Sequence, residues 1–344
     1  MPDDPKKEIT RRQFLERSFA FSAASLLAGC GTGINATAGK VDPVTGGISH
    51  FLMVGDWGED GTPNDQASVA FGMKSYVQTH GFTPDGLLLL GDNFYGNLKG
   101  GSASSRFITQ FEAMYPEDIF DCPALAIPGN HDYQVAPVSK YQAELQYALD
   151  NTTRWTMPAQ SYRISLPATN PLVTFLCLDS NMPNEPAQPP PSGNYYVMSD
   201  AQRLAQIEWL EAELALPTTT PFTVVLGHHP LYSNGQHGDN QTLIRDWGPL
   251  FQQYNVPLYI AGHDHDMQHI EISGLATSFF MSGGGGATLY PIPPKKHSGY
   301  IQEIHGFSHL QVTETEMILR HLDPNGALLH KFTRTLDGTV TIQH

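Results

Sequence analysis

Cysteine is scarce, at three residues in 344, so a scaffold stapled by disulfides is excluded. Basic side chains are few: 19 Lys and Arg stand against 34 Asp and Glu, a formal net charge of −15. Such a surface repels a phosphate backbone unless a basic stripe compensates. No stripe is present, and nucleic acid is not an expected partner. No transmembrane span is expected either. The charge-free apolar run at 18–29 covers 12 residues, short of the roughly 20 that cross a bilayer. Two catalytic signatures are also missing. Gly283-Gly284-Gly285-Gly286 is not followed by Lys-Ser or Lys-Thr, so it reads as a tight backbone passage and not as a Walker-type phosphate cradle. No Gly-x-Ser-x-Gly elbow occurs, which leaves a serine hydrolase of that type unsupported.

What is present begins with a leader. Thr10-Arg11-Arg12-Gln13-Phe14-Leu15 precedes the apolar run, and small residues follow it. That order is the layout of a bacterial export signal, and the arginine pair resembles the twin-arginine type. Leu27-Ala28-Gly29-Cys30 resembles a lipobox, which makes Cys30 a candidate lipid anchor; Ala36-Thr37-Ala38 is a rival cleavage site. The expected organisation is an export signal over 1–38 and a single domain over 48–344, in a protein exported to the periplasm or cell envelope. Cys122 and Cys177 then remain, and both read as buried free thiols.

Beyond Gly47, short apolar runs alternate with helical spacing, the pattern of an α/β domain. Helices are expected over 65–80, 137–150, 200–216 and 240–254. The stretch over 200–216 carries an apolar stripe of Leu204, Ile207, Trp209, Leu210 and Leu214. The Pro-rich stretch 183–191 reads as a loop, and the tail from Phe307 as strands. Fifteen histidines are present, and their placement matters more than their number. The run 50–54 ends in Gly55-Asp56, 87–90 in Gly91-Asp92, 124–127 in Pro128-Gly129-Asn130-His131, 223–226 in Gly227-His228, and 257–260 in Ala261-Gly262-His263. Ligands of open α/β sheets collect beyond the carboxyl ends of strands. Any one Gly-Asp or Gly-His is an ordinary turn. Five in succession, each delivering Asp, Asn or His, point to one convergent site containing Asp56, Asp92, Asn130, His228, His263 and His265, with Tyr95 three residues beyond Asp92.

The blocks Gly55-Asp56-Trp57-Gly58, Gly91-Asp92-Asn93-Phe94-Tyr95, Gly129-Asn130-His131-Asp132, Gly227-His228 and Gly262-His263-Asp264-His265 resemble those of the purple acid phosphatases, within the calcineurin-like metallophosphoesterases. The small, tartrate-resistant type is the branch they are most similar to. The resemblance implies a four-layer α/β/β/α sandwich with two mixed β-sheets. It also implies a dinuclear metal centre, with ferric iron on Asp56, Asp92, Tyr95 and His265 and a divalent ion (zinc, iron or manganese) on Asp92, Asn130, His228 and His263. Charge agrees with that division. Phenolate and carboxylate suit a hard trivalent cation, whereas the second set has one anionic member. By the same resemblance, metal-activated hydroxide attacks a phosphate monoester, and His131 and His237 are candidates to protonate the leaving oxygen, with Asp132 orienting His131. Phosphorylated small molecules or proteins would be the substrates.

Two departures stand out. His229 occupies a place where the small-type family commonly has tyrosine, and Glu59 one where relatives often have glycine. The alternatives are a phosphodiesterase or pyrophosphatase on the same fold, with the loops over 96–105 and 183–193 deciding, and a non-catalytic metal-holding envelope protein. His297, His305, His309, His321 and His330 lack ligand spacing and read as surface or hydrogen-bonded residues.

Overall fold

The computed structural model describes residues 47–59, 64–135, 138–150, 153–182 and 198–343. Strands β1 (Ser49–Val54), β2 (Gly86–Leu89), β3 (Ala124–Ala126) and β4 (Trp155–Thr156) pair in parallel. Strands β5 (Tyr162–Leu166), β6 (Val173–Cys177), β7 (Phe222–Leu226), β8 (Leu258–Ala261), β9 (Met267–Glu271), β10 (Ser278–Ser282) and β11 (Gly299–Gln302) form a second sheet, in the order β11-β9-β10-β8-β7-β6-β5. The chain then returns to the first sheet with β12 (Phe307–Val312), β13 (Glu316–Leu322), β14 (Leu328–Thr335) and β15 (Val340–Gln343), added antiparallel beyond β1. Both sheets are mixed, as expected.

Alternation along the strands makes the layers. In β1, Leu52 and Val54 join Val69, Met73 and Val77 of helix α1 (Asn64–His80). Phe51, pointing the other way, meets Phe175 of β6 edge-on at 5.0 Å. In β6, Leu176 faces the outer helices α3 (Asp200–Ala215), α4 (Gln241–Asp246) and α5 (Gly248–Gln253), through Leu210, Leu243 and Phe251. Helix α2 (Lys140–Asp150) adds Ala143 and Tyr147 to the α1 side. Each of these large apolar side chains stabilises the layer it enters by roughly 1.5–3 kcal/mol.

Several sequence expectations change. The helix over 240–254 is two helices, because Pro249 has no amide hydrogen to continue the ladder across Trp247 and Gly248. The stripe of α3 packs inward through buried Leu210 and half-buried Ile207, Trp209 and Leu214, and only Leu204, 51% exposed, departs from it. That helix lies on the surface and starts at a capping box between Ser199 and Gln202. Helix α2 begins at Lys140, not 137. His309, His321 and His330 are buried and hydrogen-bonded, to His50, to the Gln268 carbonyl and to His269. Cys122 and Cys177 are buried and free, as expected. The expected export signal, with Cys30 and Ala38, and the expected loop over 183–191 fall outside the described residues.

Candidate metal centre

The carboxyl ends of β1, β2 and β3 in one sheet and of β7 and β8 in the other open onto the same place. Asp56 N donates to the Gly91 carbonyl at 3.0 Å and Gly262 N to that of His228 at 3.0 Å, so the loops are stitched to one another. The sharp turn is taken by the functional residues themselves: Asp56, Asp92 and His263 have φ of 57°, 48° and 71°. Left-handed backbone at a non-glycine residue costs of order 1–3 kcal/mol and gathers at functional sites. The neighbouring glycines serve close approach instead. A Cβ on Gly129 would sit 2.2 Å from the Asp92 amide nitrogen, and one on Gly283 would sit 2.0 Å from the Asp264 carbonyl oxygen. The four-glycine run is thus a tight passage beneath the site.

Two donor sets form. The Tyr95 hydroxyl lies 3.2 Å from Asp56 Oδ1, 3.1 Å from Asp92 Oδ2 and 3.0 Å from His265 Nε2. His228 Nε2 lies 3.2 Å from Asn130 Oδ1, 3.3 Å from His263 Nδ1 and 3.4 Å from Asp92 Oδ2. Metal–donor bonds of about 2.0–2.2 Å place neighbouring donors about 3.0–3.4 Å apart, which is the spacing found. The residues therefore fit a metal in each set, and Asp92 Oδ2 belongs to both. The histidines are pre-oriented for it. His228 Nδ1 bonds the Leu90 carbonyl at 2.8 Å and His265 Nδ1 the Thr288 carbonyl at 2.6 Å, which leaves each Nε2 lone pair facing the site. The amides of His263 and His131 hold the second oxygens of Asp56 and Asp92 at 2.8 and 2.7 Å.

Electrostatics separate the sets. Burial, then the carboxylates of Asp92 and Asp56, push the Tyr95 phenol well above the ordinary tyrosine range. Only a highly charged cation beside it would ionise it at working pH. Burial disfavours charge on His228, but Asp92 and Asp56 outweigh it and raise the imidazole to about 10.

Around the donors, the His131 ring packs 4.4 Å from that of Tyr95. Its Nδ1 meets Gln134 Nε2 at 3.0 Å. Asp132 does not turn toward it. Its buried carboxylate accepts from the amides of Gly129, Asn93 and Phe94 at 2.8, 3.1 and 3.1 Å and so buttresses the Asp92 loop. The His237 ring lies 4.1 Å from that of His263, and its Nδ1 bonds Asp264 Oδ1 at 2.7 Å. His229 faces inward, 4.2 Å from the His263 ring, with Nδ1 2.8 Å from Ser180 Oγ. Sequence reasoning assigned no role to four further residues. Asp264 anchors His237 and takes a bond from Ser233 on its other oxygen; it sat in plain view within a quoted block. Gln134 holds His131. Tyr290 stacks on His265 at 4.3 Å. Arg106 donates to the carbonyls of Gly58, Glu59, Tyr95 and Asn97 at 2.6–2.9 Å. Bonds to carbonyls leave no signature in sequence.

Comparison with known proteins accords with this geometry. Residues 49–267 match the calcineurin-like phosphoesterase family. Mouse tartrate-resistant acid phosphatase type 5 is 28% identical over 312 residues, covering 82% of this chain and 89% of the relative. Purple acid phosphatase 7 of Arabidopsis thaliana is 30% identical over 295 residues, covering 83% and 85%. Among solved structures, purple acid phosphatase PPD1 from yellow lupin seeds superposes with a TM-score of 0.61 at 17% identity, over 84% of this chain and 54% of that one. GAP50, the anchor in the inner membrane complex of Plasmodium, does so with a TM-score of 0.66 at 20% identity, over 83% and 87%. At those identities the structures speak to fold alone.

Proposed function

We propose that this chain, which belongs to the calcineurin-like phosphoesterase family and has purple acid phosphatases among its relatives, hydrolyses phosphate monoesters in acid with two metals held by Asp56, Asp92, Tyr95, Asn130, His228, His263 and His265. One observation carries the reading: a single carboxylate oxygen of Asp92 stands within coordination spacing of both donor sets. Ferric iron suits the set with Tyr95, and zinc, ferrous iron or manganese the other. When bound, such a pair offsets phosphate charge and lowers the pKa of water. Fold alone does not decide function, since a protein described as an anchor shares it; the complete donor set favours catalysis.

The chain's own residues supply the proton. Asp264 accepts from His237 Nδ1, and a carboxylate in that position stabilises the imidazolium and aims Nε2 at the leaving oxygen. Gln134 Oε1 accepts from Lys140 at 3.3 Å, so its Nε2 donates to His131 Nδ1. The His131 proton is thereby kept on Nε2. His237 is the general acid in this reading, and His131 a fixed donor to a phosphate oxygen. Residues 1–38 are read as an export signal, which the mass of the mature N-terminus tests. The purified protein should hold two metals per chain, one of them iron, and should hydrolyse 4-nitrophenyl phosphate at acid pH. One metal, or none, with no hydrolysis contradicts the proposal.

A further inference from the structure

Beside the metal donors lies a cavity of about 230 Å³, and no role in the mechanism above uses it. It is lined by His263 and His237, by Asp239, Asn240 and Gln241, and by His229. From this we infer that the cavity is the leaving-group subsite and that it selects monoesters of small, uncharged, hydroxyl-rich alcohols, of which sugar phosphates are the type. The inference rests on the monoesterase reading and deepens it.

Position comes first. His263 belongs to one donor set, and the His237 ring lies 4.1 Å from it. The part of a substrate that departs past His237 Nε2 therefore enters this space. Size comes second. Pockets that take drug-sized ligands run to roughly 300–1,000 Å³, so this one suits a small alcohol and not an extended phosphopeptide or polynucleotide.

Chemistry decides the class. Among the described residues that line this space, none is Phe, Trp or Tyr and so able to stack on an aryl group. Asp239 gives one carboxylate oxygen to the Ser233 amide at 3.1 Å and to His297 Nε2 at 2.8 Å. The other oxygen is left to accept hydroxyls and to repel a leaving group that carries its own phosphate. Gln241 is exposed and offers a carboxamide. Next to His229, Ser180 Oγ accepts the His229 amide hydrogen at 2.8 Å and lies 2.8 Å from His229 Nδ1. Both contacts fix the orientation of the His229 ring, whose Nε2 is left for a ligand. The walls thus combine fixed donors and acceptors, the complement of a polyol. Lys296 Nζ comes within 3.0 Å of where a Cβ on Gly238 would sit, but Lys296 does not line the space.

The test compares kcat/KM for glucose 6-phosphate with that for 4-nitrophenyl phosphate in the full chain and in Asp239→Asn and Gln241→Leu. The first variant keeps an oxygen for Ser233 and His297; the second changes an exposed side chain. The glucose 6-phosphate to 4-nitrophenyl phosphate ratio should fall about tenfold in Asp239→Asn and several-fold in Gln241→Leu. Ratios within twofold of the parent's in both variants overturn the subsite while leaving monoesterase activity standing. A parent protein that hydrolyses neither ester, with both metals bound, overturns the reading beneath it as well.

Discussion

Arg106 donates to the backbone carbonyl of Tyr95 at 2.6 Å, and the same guanidinium reaches the carbonyl of Gly58 at 2.9 Å, two residues past Asp56. One side chain thereby ties the loop carrying Tyr95 to the loop carrying Asp56. Lysine cannot reproduce this fork, because its ammonium is a single point charge. Displacement of about 1 Å at a reacting centre costs on the order of 10²-fold. Arg106→Lys is therefore expected to lower kcat/KM by about 10- to 100-fold and to lose iron more readily than the divalent ion. Metal analysis of the purified variant, beside its kinetics, checks this; equal loss of both metals would place Arg106 in general stability instead.

The His237–Asp264 pair makes a sharper demand. Asparagine at 264 can present an amide hydrogen to His237 Nδ1, which reverses the ring's hydrogen bonding and removes the basis for an imidazolium. General acid catalysis typically contributes 10²–10⁴-fold. Asp264→Asn should cost about 10²-fold in kcat with both metals retained, and His237→Ala should add little to it. Additive losses in the double variant would show that the two act separately.

His131 has a different expected signature. Its Ala variant should lose kcat while metal content stays normal, since only its backbone amide touches Asp92. Gln134→Leu should give a smaller loss of the same kind. A Gln134→Leu variant with unchanged kinetics would remove the positioning role.

Two buried histidines set an acid limit on the fold. Burial, then Arg320 and His50, push His309 down to about 2; burial holds His321 well below the ordinary histidine range. Both stay neutral when folded and take a proton once unfolded. Folded-state values lie below unfolded ones, so the stability these groups allow is full above about pH 6.5 and is lost as pH falls below it. Each contributes a slope of up to about 1.4 kcal/mol per pH unit. Melting temperature should fall steadily from pH 6.5 to 4.5. His309→Phe, whose ring can keep the stack on Phe82, should flatten that slope even where it lowers stability at pH 7. An unchanged slope would contradict the assignment.

Local signals explain what the sequence made legible. Each strand ending keeps an apolar run, a glycine and a donor within a few residues, and parallel strands bring such endings together. Pro249 stands inside the stretch expected as one helix, and its missing amide hydrogen is a signal the sequence carries. Helix α3 was legible from its spacing, with Leu210, Ile207, Trp209 and Leu214 packed inward and Leu204 alone left exposed at the edge of the stripe. His321 and His330 lie on alternating strands with Phe332, so period-two counting would have turned them inward. Arg106 could not be read, because the carbonyls it bonds carry no side-chain signal, whereas Gln134 stands three residues from His131 and was within reach of a local reading. The second sheet's contribution rests on β7 and β8 arriving from far along the chain, and that approach is a property of the sandwich.

The central claim, two cations meeting at Asp92 with one gripped by an ionised Tyr95, is tested most directly by the visible absorption spectrum of the iron-containing protein and of its Tyr95→Phe variant. The account predicts a violet charge-transfer band in the parent that vanishes in the variant. A colourless, active, iron-loaded parent, or a band that survives Tyr95→Phe, would contradict it.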